Sequence, residues 1–348
     1  MIRTSSLLHV LGVTTIILVF ILCLGGLLCI LYVLHFRFKT HKHHLFALRE
    51  FNSFWVIRIM LVIFAVLWSL LELLRLPLLR HKGWPLSSMG VHWQTNLCKT
   101  HMLLSQGVIE PCFYLTALSL VHGPLQNDPF GPRKKGNGRT VFNILVCCLP
   151  VFILQLFILV IGPGITFRGG KSMVKVLPRS FTRTYEVVHH SEGKHDMALC
   201  TYPLLSTIVL GSFGFLYISY FLYVCWRMLL LVINKRLQCR VYGLVSTVVL
   251  FLPIQVMLLG LSILRKPTEG VFELFSFLGF LTTVMATTLG EGILVIRPIA
   301  DALAVRWVFN SNTQFDKTRD GPGFSSVSIE VFSGPGMRRD GEERLLGK

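Results

Sequence analysis

The sequence predicts an all-α protein: an integral membrane bundle of seven transmembrane helices, N-terminus out and C-terminus in, with a disordered C-terminal tail. Three observations carry that prediction. Of 348 residues, 53% are hydrophobic and only 15% are charged, and the mean hydropathy of +0.63 lies outside the range of a soluble domain of this length. Seven apolar windows succeed one another along the chain, each long enough to cross a hydrocarbon core roughly 30 Å thick. None of them alternates apolar and polar residues in the way a lipid-facing barrel strand does.

The first window, 10–34, is much longer than the roughly 7 to 15 residues of a signal-peptide core, and no small-residue cleavage pattern comes after it, so it is kept as a helix of the mature protein. The second, 54–74, carries Arg58 near its start and Glu72 near its end. Glu72 lies three residues before Arg75, so an interfacial pair on one helix face accounts for it. The third, 102–120, contains "SQGVIEPCFY", with Glu110 at mid-membrane and Pro111 freeing a backbone carbonyl one turn earlier. The fourth, 141–161, contributes Gln155. The fifth, 202–226, runs on past Arg227 as one tilted helix rather than two spans. The sixth, 241–264, sets Gln255 beside Pro253, and the seventh, 271–296, has a hydroxyl-rich stretch and the segment Gly290-Glu291-Gly292. Beyond Pro298, "ADALAVRWVF" reads as a short helix lying in the interface, and the Gly, Ser and Arg content after Asn310 reads as disorder. The division is therefore a transmembrane domain over 1–309 and a cytoplasmic tail over 310–348.

Orientation is set by the Lys and Arg residues. With the N-terminus outside, 19 lie on the inner side against 13 on the outer, and the inner ones are dense: Arg37 to Arg49, Arg133 to Arg139, Lys235 to Arg240. The net charge of +17 then marks contact with an anionic inner leaflet. A nucleic-acid reader would need a soluble basic domain, and none is visible.

Cys98 precedes the third window and Cys200 the fifth, so chain parity puts both on one side, where a disulfide would tie the long fourth connection, 162–200, to the top of the third helix. Within that connection Gly169-Gly170 gives a weak hairpin signal, balanced against an irregular loop. Two histidine clusters carry metal-ligand residue types. The first, His35, His41, His43 and His44, is interleaved with Arg37, Lys39 and Lys42. The second, His189, His190, His195, Asp196 and Cys200, has no structural zinc spacing, so neither supports a metal centre. No cofactor motif is found.

A charge in a bilayer usually faces the bundle interior. Arg58 and Glu291 sit at matching depth on the inner side, which suggests an ion pair between the second and seventh helices. Glu110 has no such partner in any span. With Gln106, Gln155, Gln255, Thr283 and Thr287 it could line a polar central cavity; the same groups could instead bond helix to helix.

The stretches "LREFNSFWVIRIMLVIFAVLWSLLELLRLPLLR" and "LCKTHMLLSQGVIEPCFYLTALSLV" resemble a family of uncharacterised plant multi-pass membrane proteins grouped with candidate G-protein-coupled-receptor-like proteins. The resemblance implies a seven-helix, receptor-like topology and no established activity. Two departures from rhodopsin-type receptors argue against G-protein coupling: the third span ends "SLVHGPLQ" without an acidic-Arg-aromatic triplet, and the seventh ends "VIRPIAD" without Asn-Pro-x-x-Tyr.

Together these features favour a receptor-like signalling protein of the plasma membrane or an endomembrane, with a small-molecule ligand, a cytosolic signalling partner and membrane lipids as its partners. One alternative is a transporter or channel using Glu110, and another is a scaffold recruiting cytosolic partners. An enzyme is supported least, since neither a nucleophile elbow nor a phosphate loop is present.

Overall fold

The computed structural model describes residues 2–41, 54–80, 90–123, 137–167, 181–188, 197–232, 235–267 and 269–304. Among these described residues are seven long helices: α1 (Ile2–His41), α2 (Trp55–Arg75), α3 (Val91–His122), α4 (Asn137–Phe167), α5 (Leu204–Leu231), α6 (Lys235–Ile263) and α7 (Gly270–Ala304). Each contains a segment long and apolar enough to cross a membrane, the architecture of an integral membrane protein. Residues Met1–Ala302 form one compact unit. The expected disordered tail and residues 305–309 of the expected interfacial helix lie outside the described residues.

The helices close into a ring. α1 packs on α2, each helix packs on the next, and α7 returns to α1, while α3 also reaches α5. α3 is the enclosed member: 72% of its apolar window is buried, against at most 44% for any other helix. It begins at Val91, well ahead of its apolar window. A hydropathy window scores exposure to lipid, whereas Gln94, Thr95, Cys98 and His101 are buried against protein, so their polarity does not end the helix.

Two of the helix prolines are each preceded by a π-turn. Pro111 has no N–H and would clash with the carbonyl of Gly107, and the helix answers with a π-turn over Ser105–Ile109 in which the Glu110 N–H bonds the Ser105 carbonyl. α7 repeats the device: a π-turn over Gly292–Ile296, closed by the Arg297 N–H on the Gly292 carbonyl, precedes Pro298. The local sequences match, Val108-Ile109-Glu110-Pro111 and Val295-Ile296-Arg297-Pro298. The sequence predicts that the seventh span ends at 296 and that the segment after Pro298 is a separate short helix. α7 instead runs on to Ala304 as one helix, because the inserted residue makes room for the proline ring.

Between α4 and α5 a two-stranded antiparallel hairpin forms from β1 (Tyr185–Val188) and β2 (Met197–Cys200), with Tyr185 opposite Cys200. The hairpin signal at Gly169-Gly170 lies outside the described residues. Cys98 and Cys200 are disulfide-bonded, their Cα atoms 5.3 Å apart, and the Ala198 N–H donates to Gln94 Oε1 at 3.0 Å. β2 is thus held to α3 twice.

Lipid tails are as apolar as leucine, so close packing rather than apolar burial holds such helices together. Trp68 of α2 stacks on Phe280 of α7 at 5.5 Å, with Val19, Ile109 and Val284 around them. Where α5 meets α6, a Cβ on Gly214 would lie 2.6 Å from Leu252 Cδ2, and on Gly26 of α1 it would lie 2.4 Å from Val66 Cγ2 of α2. Gly214→Val should therefore lower stability by about 1–3 kcal/mol through overpacking. Thermal unfolding in detergent measures this, and a Leu252→Ala change in the same chain should recover part of the loss; no recovery would show that the contact is not what glycine serves.

Candidate functional site

From the hairpin end toward the bundle centre, α3 carries three successive sets of buried polar contacts. The first is charged. Glu72 Oε2 lies 3.3 Å from Arg75 Nε, and Glu72 Oε1 lies 3.3 Å from His101 Nε2, with all three side chains at 7% exposure or less. The guanidinium of Arg75 sits over the ring of Tyr202, 5.5 Å from its centroid. The expected Glu72 to Arg75 pair is present, but it is buried and shared with His101 rather than exposed at an interface. His101 lies one turn below Cys98, and Tyr202 lies two residues after Cys200, so the disulfide that anchors the hairpin also gathers this cluster.

The second set joins α3, α4 and α5. Ser206 Oγ lies 2.8 Å from Gln106 Oε1 and 2.6 Å from Gln155 Oε1, and Gln155 Nε2 donates to the Ser206 carbonyl at 3.2 Å. A hydroxyl has one hydrogen, so Ser206 serves one amide oxygen at a time. Gly107 makes the approach possible: a Cβ there would stand 3.3 Å from the Gln155 Cβ.

The third set surrounds Glu110, directly after the π-turn. Trp68 Nε1 donates to Glu110 Oε1 at 3.0 Å and Gln255 Nε2 donates to the same oxygen at 3.1 Å, which ties α2 and α6 to α3. Tyr114 Oη donates to Gln255 Oε1 at 3.4 Å. Glu110 Oε2 is buried and has no hydrogen-bond partner among the described residues. A cavity of ≈ 10 Å³, room for about one water molecule, is lined by Glu110, Tyr114, Gly214 and Gln255 with apolar neighbours. Tyr114 also lines a second cavity of ≈ 20 Å³ between α3, α5, α6 and α7.

The six residues expected around one central cavity are therefore divided. Glu110 and Gln255 meet directly. Gln106 and Gln155 meet through Ser206. Thr283 and Thr287 turn back on their own helix, to the carbonyls of Gly279 and Thr283, as hydroxyls in apolar helices commonly do. An inserted residue rotates the rest of the helix by about 100° relative to a regular one, which explains why Gln106 and Glu110 reach different neighbours.

The Arg58 to Glu291 pair is not among the ion pairs of the described residues. α2 meets α7 at Trp68 and Phe280. At the level of Glu291, α7 packs on α1 and turns Gly290 toward Phe113 of α3, while Arg58 is buried and Glu291 half-buried. Among the described residues no group of three or more His, Cys, Asp or Glu is placed to hold a metal ion. His43 and His44 of the first histidine cluster, and every member of the second except Cys200, lie outside those residues.

Four participants are not anticipated from the sequence: Trp68, His101, Tyr114 and Ser206. A buried indole needs an acceptor for its N–H, so a tryptophan inside a span, as Trp68 is, carries a usable signal. Ser206 does not, since a lone serine in a span most often bonds its own backbone.

Gln255→Leu and Trp68→Phe each remove one donor from a buried carboxylate oxygen and should each cost about 1–3 kcal/mol, read as a lower unfolding midpoint. In the Glu110→Leu background, which offers no acceptor, each should cost less, and full additivity would show that the bonds do not form. Cys98→Ser should lower stability by about 2–5 kcal/mol, and a reducing agent should lower the wild-type midpoint to match.

The family profile described as Uncharacterised conserved protein UCP031277 matches residues 1–312 of the chain. Comparison with curated protein sequences gives no match.

Proposed function

The chain belongs to that family of uncharacterised conserved proteins, whose profile spans most of its length, and from this premise we propose that it is a receptor-like signal transducer. In this reading its N-terminus lies outside, a small-molecule ligand is received at the hairpin end, and a cytosolic partner is engaged at the opposite end. One observation carries the reading. The hairpin is bonded covalently to α3, and α3 is the enclosed helix that passes through the charged cluster and the Ser206 set to the π-turn at Glu110. A ligand pressing on the hairpin acts on a helix that touches most of the others. π-turns before proline offer two places where α3 and α7 can bend without losing their ladders. The basic residues at the far end suit both an anionic leaflet and a partner.

A second reading, transport, is favoured by the water-sized cavity that Glu110 lines and by Glu110 Oε2, which has no hydrogen-bond partner among the described residues. A cavity of ≈ 10 Å³ is far short of a conduit, which is why signalling is preferred.

The test uses the exposed thiol of Cys239 at the far end, labelled with an environment-sensitive fluorophore in a Cys147→Ser background. Compounds are ranked by thermal stabilisation of the reconstituted protein. A stabilising compound should shift the label's emission, and the shift should vanish when Cys98 and Cys200 are both changed to Ser. Stabilisation without any shift, together with proton flux that Glu110→Gln abolishes, would replace signalling with transport.

A further inference from the structure

Cys112 of α3 and Cys148 of α4 face each other with their Sγ atoms 3.0 Å apart, both buried, in a cluster they share with Ile144. Neither takes part in the contacts around Glu110, and receptor-like signalling does not depend on them. We infer that this pair is a redox-modification site: a membrane-embedded dithiol that a lipid hydroperoxide converts to a disulfide, locking α3 to α4.

The geometry supports it in three ways. A disulfide needs the sulfurs about 2.05 Å apart, so closure takes a movement of about 1 Å, within the reach of side-chain rotation. Cys112 comes directly after Pro111, so the link would form at the base of the π-turn, where α3 departs from a regular helix. Acyl chains, the source of the oxidant, lie next to α4. On α4 the residues beside Cys148 are exposed, Leu145, Val146, Cys147 and Leu149 among them, and in a membrane that face meets acyl chains.

The chemistry balances. The hydroperoxide passes its terminal oxygen to one thiol sulfur, giving a sulfenic acid and the lipid alcohol as the O–O bond takes up two electrons. The second sulfur then attacks the first, the S–O bond breaks, and water leaves with the second thiol's proton. Cys147 next door is the internal control. It is exposed to the same oxidant, while the thiol at 3.0 Å belongs to its neighbour.

The full chain in nanodiscs of unsaturated lipid is treated with cumene hydroperoxide, alkylated under denaturing conditions, and mapped by mass spectrometry without reduction. The expected result is a peptide joining Cys112 to Cys148, lighter than its separate halves by about 2 Da for two lost hydrogens. It should disappear on reduction and be absent from Cys112→Ser, and the unfolding midpoint of the wild type should rise on oxidation. Recovery of both residues as alkylated free thiols, a vicinal link between Cys147 and Cys148, or a link between two chains would each overturn the inference. The wild-type map decides the matter even if Cys112→Ser does not fold.

Discussion

A helix carrying Gln94, His101, Gln106 and Glu110 cannot face hydrocarbon, and that constraint organises the bundle. Each of those groups needs a partner that lipid does not provide. The other elements supply them: β2 for Gln94, α2 for His101, α5 for Gln106, and α2 with α6 for Glu110. The ring closes around α3 because α3 holds the polar groups that must be enclosed. α1, by contrast, packs mainly on α2 and offers Phe20, Ile21, Leu27 and Leu28 outward.

The same constraint accounts for the backbone irregularities. A proline in a membrane helix leaves a carbonyl without its donor, and water is not there to replace it. Shifting one turn to the wider π spacing accommodates the ring and re-aims the residues beyond it. Glu110 and Arg297, the charged residues before each proline, both stand at the exits of such turns. In α3 the re-aimed residue meets Trp68 and Gln255, so the irregular turn and the buried carboxylate belong to one arrangement.

How much of this the sequence discloses depends on what each residue's neighbours have to supply. The spans are legible, because hydropathy over about 20 residues is a property of one helix and its solvent. The Cys98 and Cys200 pairing is legible as a candidate because chain parity alone restricts which residues share a side. Contacts between helices are not. Arg58 and Glu291 share a depth, yet depth fixes only one coordinate, and rotation about each helix axis decides whether they meet. Gln106 and Glu110 read as one face of a regular helix, and the π-turn between them changes the count of residues per turn. Pro111 is visible, but whether it kinks a helix or widens it is settled by the neighbours.

The tie between the hairpin and α3 also orders events during synthesis. Its two cysteines are 102 residues apart. At about 5–20 residues per second, Cys98 is made about 5–20 s before its partner. Over that interval the whole of α4 and the long connection must be produced, while α3, the helix least suited to lipid, waits without the helices that will enclose it. A chain halted in that window displays an open thiol beside an unsheltered polar helix, two marks by which a cell's quality-control machinery could recognise an unfinished copy.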